Sequence, residues 1–565
     1  MEKTVLAWYF FMTRTRLLKS LKGEVYSGVG KLYGKFTQRD FLDESAVSDF
    51  SLYEDSRIKR YSPNMSNFPY TIVYQYEILF KQNLIIPSWS PKPGNDVSVE
   101  KSSYTFVCKP NDKLRIKTQN LSEPVTETIT DKQKTQRWTA NHIIAVKAEP
   151  FSPNLQTYEP FVKIAPEDFS YYKYESSYKD WQELGKWIYD DLLKDRTALP
   201  LPTVQMMKDL VKLEKTDGEK VRKIYQYLQD KTRYISVQIG IGGFKPFSAA
   251  DVDRLGYGDC KALVNYMQSL LKAVDIDSYY CIVNAGDEKK GLDPSFASMN
   301  QANHVILCVP LAGDTTWLEC TSQKMPYGFL STFTDDRIVL ACTPDGGKLL
   351  RTPKYSPEQN FKKRRAQLFL DKDGNISGEV ATSFQGTQYD NHEHIAGKIL
   401  SEQQKLLKQV YPVDNINFSK VNYIERKDKL PELEENLTLT IRNYAAVSAK
   451  RIFLTVNPFP SKKNAEEVRY RTLPVHINRG YSDEENIYIS LAEDINPLME
   501  PVEKSYENQF GSYFAKTSIK GNVITYYRKF KLNQGTFNAS SYADFVKFIN
   551  DVNAADQLRY ALTLK

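Results

Sequence analysis

The sequence has few of the side chains that bind metals or form redox pairs. Its 565 residues include 5 histidines and 6 cysteines. No two cysteines have the Cys-x-x-Cys spacing of zinc sites and redox-active pairs. Their scatter through a long chain also does not indicate a disulfide scaffold. We therefore expect neither a metal site nor a redox function.

A strong excess of one charge is also missing. The 76 basic and 69 acidic residues are interspersed and leave a net charge of +7. The chain thus lacks the concentrated basic surface that nucleic-acid binding requires. The densest basic run, residues 362–365, precedes an apolar strand pattern, and we interpret it as the solvated beginning of that strand. We expect no nucleic-acid partner.

Long apolar runs are absent as well. Residues 5–12 are apolar, but they fall far short of the ~20 residues that a transmembrane helix needs. They lack a small-residue cleavage site and precede Arg14 and Arg16, which makes them a poor match to a signal peptide. We expect no transmembrane segment, and the residues alone leave the compartment open.

The length of the chain is enough for about three or four domains of ordinary size. With 41% hydrophobic and 26% charged residues, its composition is that of a folded protein. Bulky and β-branched runs separated by turn residues predict strands at both ends, and helical periodicity appears between them. We predict a multidomain α+β protein. It has an N-terminal β-sandwich (1–160), an α+β core (161–350) and a C-terminal β-rich domain (351–565) that ends in a helix.

The most informative stretch is residues 256–267, Gly-Tyr-Gly-Asp-Cys-Lys-Ala-Leu-Val-Asn-Tyr-Met. From Ala262 onward the apolar residues recur at helical spacing, which predicts a helix with one buried face. Asp259 occupies the expected N-cap position, so Cys260 falls in the first turn. The unpaired amides and the dipole of a helix start favour a thiolate over a thiol. Cys260 is therefore a candidate nucleophile.

A nucleophilic cysteine needs a base, and His304 begins a β-branched run that predicts a buried strand. The strand pattern breaks at residues 310–313 and then resumes. If those four residues form a hairpin loop, Val309 pairs with Asp314, and His304 lies opposite Glu319 with Cβ atoms ~5 Å apart. A carboxylate there would orient the imidazole, whereas a slip of one residue would turn it to the other face.

This order of cysteine, histidine and acid resembles the transglutaminase-like branch of the papain-type fold. Tyr257-Gly-Asp-Cys-Lys and Trp317-Leu-Glu-Cys-Thr carry the resemblance, which is most specific over residues 216–325. The flanking regions resemble the domains of unknown function that bracket such cores in bacterial proteins. The resemblance implies a papain-like core, a triad of Cys260, His304 and Glu319, no cofactor, and export to the periplasm. The family usually has aspartate at the third position, so the activity of a triad with glutamate is left open.

Four neighbouring residues are candidates for an oxyanion site or acyl pocket. Gln238 precedes a glycine-hinged segment and could donate a side-chain N–H to an oxyanion, although a solvent-facing strand position explains it equally well. Tyr257, Asp259 and Trp317 lie within the two motifs. The remaining cysteines are predicted to be strand residues without a catalytic role: Cys108, Cys281, Cys308, Cys320 and Cys342.

Together these residues predict thiol-dependent acyl transfer or hydrolysis of protein or peptide amides through a Cys260 thioester. Peptidase, amidase and transglutaminase activity all remain open, and we favour hydrolysis because bacterial members of this superfamily are often regarded as peptidases or amidases. The alternative is a non-catalytic binding or structural protein with a relict triad. The expected partner is a protein or peptide substrate, and a glycan-associated setting is left open.

Overall fold

The structure, a computed structural model, describes residues 8–13, 15–45, 51–54, 57–63, 68–238, 243–459, 465–497 and 500–565. Strands occupy both ends of the chain, and most of the longer helices lie in the middle. Within the described residues, no helix has the length and apolar character needed to cross a membrane.

The N-terminal region consists of small sheets of two or three strands. Two apolar clusters hold it together, one around Phe10 and Phe36 and the other around Trp138 and Val162. The region is β-rich, as predicted. Its strands are β1 (Trp8–Met12), β2 (Arg16–Ser27), β3 (Leu32–Thr37), β4 (Leu42–Ser45), β5 (Ser51–Glu54), β6 (Arg57–Tyr61), β7 (Tyr70–Phe80), β8 (Val99–Cys108), β9 (Leu114–Gln119), β10 (Thr126–Ile129), β11 (Lys134–Ile143), β12 (Phe161–Pro166), β13 (Asp168–Tyr171) and β14 (Tyr174–Ser177).

The central region packs helices against a five-stranded antiparallel sheet. Its helices are α1 (Trp181–Trp187), α2 (Leu201–Val211), α3 (Asp217–Lys231), α4 (Ala249–Leu255) and α5 (Cys260–Lys272). Its strands are β15 (Arg233–Tyr234), β16 (Ser236–Gln238), β17 (Tyr257–Gly258), β18 (Tyr279–Val283), β19 (His304–Leu311), β20 (Asp314–Leu318), β21 (Ile338–Thr343) and β22 (Gly346–Arg351). The sheet has the order β20-β19-β18-β21-β22, and β16 pairs in parallel with β5 of the N-terminal region.

Local sequence signals account for the starts of the two helices nearest the candidate site. A capping box begins α3: the Glu219 N–H donates to the Thr216 hydroxyl at 3.3 Å, and the Thr216 N–H donates to the Glu219 carboxylate at 2.9 Å. Along α5, Leu263, Met267 and Leu270 are fully buried against the sheet side chains that face them. Each helix is thus capped by its own residues and held in place by its apolar face.

The hairpin between β19 and β20 is tighter than predicted. Leu311 pairs with Asp314 across a two-residue connection in which Gly313 has a φ of +78°. Val309 therefore pairs with Thr316 instead of Asp314, so the predicted register was wrong by two residues. Because side chains alternate with a period of two, this shift leaves Glu319 on the predicted side of the strand.

The C-terminal region is dominated by an eight-stranded sheet of order β25-β26-β24-β23-β30-β34-β33-β32. Its strands are β23 (Phe361–Leu370), β24 (Ile376–Gln385), β25 (Ile416–Arg426), β26 (Glu432–Ile441), β27 (Ala446–Ser448), β28 (Arg451–Thr455), β29 (Val475–Ile477), β30 (Tyr481–Leu491), β31 (Ile495–Asn496), β32 (Val502–Asn508), β33 (Gly511–Lys520), β34 (Val523–Leu532), β35 (Gly535–Phe537) and β36 (Arg559–Leu564). Its helices are α6 (Thr387–Asp390), α7 (Glu393–Ala396), α8 (Leu400–Val410) and α9 (Tyr542–Asp556). The predicted C-terminal helix is α9, which buries Phe545, Phe548 and Ile549 in the core of this region.

The basic run at residues 362–365 is not a solvated strand start, and that interpretation was wrong. Lys362 and Arg364 are buried in β23, while the residues between and after them are exposed. Lys362 lies 3.3 Å from the Asp483 carboxylate, and Arg364 lies 3.1 Å from the Glu485 carboxylate. The parallel pairing of β23 with β30 places these charges opposite each other, so the sheet interior accommodates them as ion pairs.

Candidate active site

Cys260 is the first residue of α5, and its position is set by the residues just before it. The Asp259 side chain accepts a hydrogen bond from the Ala262 N–H at 2.9 Å, which is the predicted N-cap. Gly258 has no room for a side chain, because a Cβ there would lie 2.7 Å from that of Ala262. Cys260 is 8% exposed. Its backbone N–H lies in the helix's first turn, where amides have no acceptor within the helix.

A buried ion pair flanks the cysteine. The Lys261 ammonium lies 2.6 Å from the second carboxylate oxygen of Asp259, and both side chains are buried. Burial alone would lower the pKa of Lys261, but the charges of Asp259 and Cys260 hold it above its usual value. Asp259 is therefore committed to the helix cap and the ion pair. Both of its carboxylate oxygens have partners, and its predicted place in the acyl pocket stays a prediction.

His304 contacts both Cys260 and Glu319. Its Nε2 lies 2.9 Å from Oε2 of Glu319. The imidazole also interacts with the Cys260 side chain, which helps to raise the pKa of His304. Burial lowers the pKa of His304, but the Glu319 charge and the hydrogen bond with Cys260 outweigh it and raise the pKa to about 10. This shift favours the protonated form of the imidazole.

Glu319 lies just beyond the end of β20 and is held through its second oxygen. Oε1 accepts hydrogen bonds from the Thr321 N–H at 3.0 Å and from the Thr321 hydroxyl at 2.5 Å. Burial raises the pKa of Glu319, but His304 and Thr321 together hold it below its usual value. The Tyr225 hydroxyl of α3 donates to the Glu319 carbonyl at 2.7 Å, which anchors the backbone at this point.

The other predicted pocket residues have different outcomes. Trp317 is 4% exposed and packs in an apolar cluster with Cys281, Ile306 and Cys308. Its predicted pocket role stays a prediction. Tyr257 is half-buried in β17, three residues before Cys260. The backbone of Gln238 forms part of β16, but its side chain lies outside the described residues, so its oxyanion role stays a prediction.

Sequence reasoning missed three residues that touch the site: Thr321, Tyr225 and Phe333. Thr321 had a usable signal, because it ends the same Trp-Leu-Glu-Cys-Thr motif that contains Glu319. Tyr225 lies on the buried face of α3, where an apolar pattern predicts packing but no contact with the site. Phe333 follows β20 in an irregular loop, and its ring centroid lies 5.4 Å from that of His304. No local pattern predicts that contact, because it depends on how the loop folds back.

The remaining five cysteines are free thiols. Burial raises the pKa of the Cys281, Cys320 and Cys342 thiols, which disfavours their reactive thiolate forms. Cys308 is buried as well, and Cys108 is partly exposed. None of these five has the helix-start position of Cys260 in the described structure.

Comparisons with protein families agree with this architecture. A family model for the transglutaminase-like superfamily matches residues 204–322. Two domains of unknown function with solved structures match on either side: DUF3857 over residues 7–147 and DUF3858 over residues 450–562. The resemblance inferred from the two motifs is confirmed. Each match lies within one of the three predicted regions, whose boundaries stay predictions.

A solved structure has a similar fold at low sequence identity. A crystal structure of a "putative protease" from Parabacteroides distasonis aligns with a TM-score of 0.62 and 13% identity, covering 99% of this chain and 92% of that one. A "putative cysteine protease" from Cytophaga hutchinsonii is 11% identical over 56% of this chain and 79% of its own, but its TM-score of 0.19 carries no weight. A comparison with curated proteins finds no match.

Proposed function

We propose that the transglutaminase-like core of this chain acts on protein or peptide amides through a thioester at Cys260. One observation carries the proposal: the side chains of Cys260, His304 and Glu319 form a continuous chain of contacts in a buried setting. An ionised carboxylate, a protonated imidazole and a cysteine at a helix start are the parts that thiol-based acyl transfer requires.

In the acylation step, the Cys260 sulfur attacks the amide carbonyl carbon and forms the new C–S bond. The oxygen gains negative charge, which the backbone N–H of Cys260 at the start of α5 would help to stabilise. As the tetrahedral intermediate collapses, the C–N bond breaks, and protonated His304 gives its proton to the departing amine. Glu319 keeps the imidazole in the orientation that both events need.

The thioester is then resolved by a second nucleophile. His304, now neutral, accepts a proton from water as the water oxygen attacks the thioester carbon, and the Cys260 thiolate is the leaving group. An amine in place of water would give transfer instead. We propose hydrolysis, and the description of the Parabacteroides protein with this fold as a "putative protease" supports that choice.

The first test is labelling with iodoacetamide at mildly acidic pH, followed by peptide mapping. Cys260 should be alkylated much faster than a free cysteine, and His304→Gln should abolish the difference. Cys320→Ala is a matched control, because that thiol is also buried and lies beside Glu319. Labelling of Cys260 no faster than a free thiol would contradict the proposal.

The second test separates the possible outcomes of the reaction. Casein is incubated with the protein in the presence and absence of dansylcadaverine. New peptide N-termini indicate amide hydrolysis, released ammonia without cleavage indicates deamidation, and dansyl incorporation indicates transfer. The Cys260→Ala variant should eliminate whichever product forms.

A second candidate function is ligand binding by the C-terminal region. A cavity of about 940 Å³ lies there, and part of its lining is aromatic and polar, including Phe384, Tyr444, Asn457 and Asp483. Rings combined with hydrogen-bonding groups suit a glycan. Glycan-array binding by the Cys260→Ala protein, reduced by Tyr444→Ala, would favour this candidate. A reactive Cys260 together with a negative array would exclude it.

A further inference from the structure

Phe333 stands beside the candidate catalytic histidine but remains open to solvent. Its ring meets the His304 ring at 64° with centroids 5.4 Å apart, an edge-to-face contact. Phe333 is 44% exposed, although the His304 side chain is only 9% exposed. An apolar ring is therefore presented to solvent at the position where a substrate must approach His304.

The loop that carries Phe333, residues 331–337, is fixed to the core. Arg337 is 1% exposed and donates hydrogen bonds to the carbonyls of Asn284 at 2.6 Å and Gly286 at 3.2 Å, and to those of Thr332 and Asp335. The Gly286 N–H in turn donates to the Phe333 carbonyl at 3.0 Å. The backbone of Phe333 is thus held by the segment that precedes the His304 strand.

The C-terminal region holds the same loop from the other side. Asp390 accepts hydrogen bonds from the Thr332 N–H at 3.0 Å and the Thr332 hydroxyl at 2.7 Å. Arg479 donates to the Thr332 carbonyl at 2.6 Å and to the Asp335 carboxylate at 2.5 Å. Thr332, just before Phe333, and Asp335, two residues after it, are therefore tied to a region that contains neither Cys260 nor His304.

We infer that Phe333 forms one wall of a substrate subsite for an aromatic or apolar side chain next to the scissile amide. The C-terminal region positions this wall through Asp390 and Arg479. An aromatic substrate group can pack on the exposed ring, whereas a charged group would lose hydration there without gaining a partner. The inference rests on the proposed function, because it assigns the preference of the Cys260 site.

Two neutral alkylating probes test the subsite without a known substrate. Iodoacetamide and N-benzyl-2-iodoacetamide react in the same way: the Cys260 sulfur bonds to the methylene carbon as iodide leaves. They differ only in the phenyl group that would reach Phe333. The second-order rate constant for N-benzyl-2-iodoacetamide is divided by the one for iodoacetamide. The readout is this ratio for Cys260 relative to the same ratio for a free cysteine peptide.

We expect this ratio to exceed one in the native protein and to fall about 3- to 10-fold in Phe333→Ala, the range expected for loss of one aromatic contact. Phe333→Leu should keep most of the preference, because it retains an apolar surface. Asp390→Asn should lower the ratio by loosening the loop. Phe369→Ala is the matched control, since Phe369 is also 44% exposed but lies on the outer face of β23.

The outcomes distinguish the subsite from the reaction. Fast alkylation of Cys260 with an unchanged ratio in both Phe333 variants overturns the subsite and leaves the proposed function intact. Alkylation no faster than the free peptide with both probes overturns both. A lower ratio in Phe333→Ala with native-like circular dichroism, and an unchanged ratio in Phe369→Ala, supports the inference. If the ratio falls in Phe333→Ala but does not change in Asp390→Asn, the C-terminal region does not position Phe333.

Discussion

His304 and Glu319 meet at 2.9 Å between Nε2 and Oε2, while the other oxygen of the same carboxylate is held by Thr321. The glutamate thus spans two fixed partners, one on each oxygen. Its reach places the carboxylate correctly even though the hairpin register differs from the predicted one by two residues. The structure accommodates glutamate at the third position of the candidate triad, and this has direct experimental consequences.

Substitutions of Glu319 should distinguish the effect of its negative charge from the effect of its side-chain length. Glu319→Gln keeps the length of the side chain but removes the charge that orients the imidazole, so the rate of casein turnover should fall by orders of magnitude. Glu319→Asp shortens the arm by one methylene and cannot span both His304 and Thr321, so it should also lose activity. Thr321→Val is a milder control that keeps the carboxylate. Full activity in Glu319→Gln would leave a Cys260–His304 dyad.

His304 should titrate at a higher pH than an ordinary histidine. Burial lowers its pKa, but Glu319 and Cys260 outweigh this and raise it to about 10, whereas burial lowers the pKa of His392 to about 4. In an NMR titration of the ring resonances, His304 should stay protonated well into the alkaline range and His392 should stay neutral above pH 5. Glu319→Gln should move the His304 midpoint downward. A native midpoint near 6.5 would contradict the geometry described here.

The same shift predicts a stability change with pH. The folded-state pKa of His304 lies above its ordinary value of 6.5, so the folded protein binds this proton more tightly than the unfolded chain. The resulting stabilisation is fully present below pH 6.5 and is lost as the pH rises toward 10. Urea denaturation at pH 6 and pH 10 should therefore show a larger loss of stability in the native protein than in His304→Gln. Equal losses would argue against the shift.

The cysteines should divide into one reactive residue and several packed ones. Cys260→Ala should abolish casein turnover with little change in melting temperature, because the thiol lies at the edge of the core. Cys281→Ala and Cys342→Ala, at fully buried sites, should each cost on the order of 1–3 kcal/mol of stability while turnover persists. A Cys260→Ala protein that fails to fold would show that this residue serves packing.

The Asp259–Lys261 ion pair should matter for the structure of the cysteine's helix. Asp259→Ala removes the cap, worth about 1 kcal/mol, and leaves a buried lysine unpaired, which costs about 3–5 kcal/mol. Asp259→Asn keeps a capping oxygen but not the charge, so the difference between the two variants isolates the cap. Stability is measured by urea denaturation. Equal stabilities of the native protein and Asp259→Ala would contradict this role.

Local signals in the sequence determined the starts of the key helices and the identity of the candidate catalytic residues. The N-cap of α5 at Asp259 and the capping box at Thr216 both follow from side chains that bond to their own backbone neighbours. The strand β19 was also predictable locally, because its run of β-branched residues favours extended backbone. These features need no information from distant residues.

Tertiary structure decided the features that depend on distant partners. The register of the β19–β20 hairpin, which differs from the predicted one by two residues, is set by the geometry of its turn. The apolar pattern of the strands does not encode that geometry. Arg364 is buried because β30 supplies Glu485 opposite it, 121 residues away in sequence. Phe333 reaches His304 because Asp390 and Arg479 hold its loop from another region. Such contacts follow from the packing of whole sheets and loops, so the sequence pattern near each residue cannot reveal them.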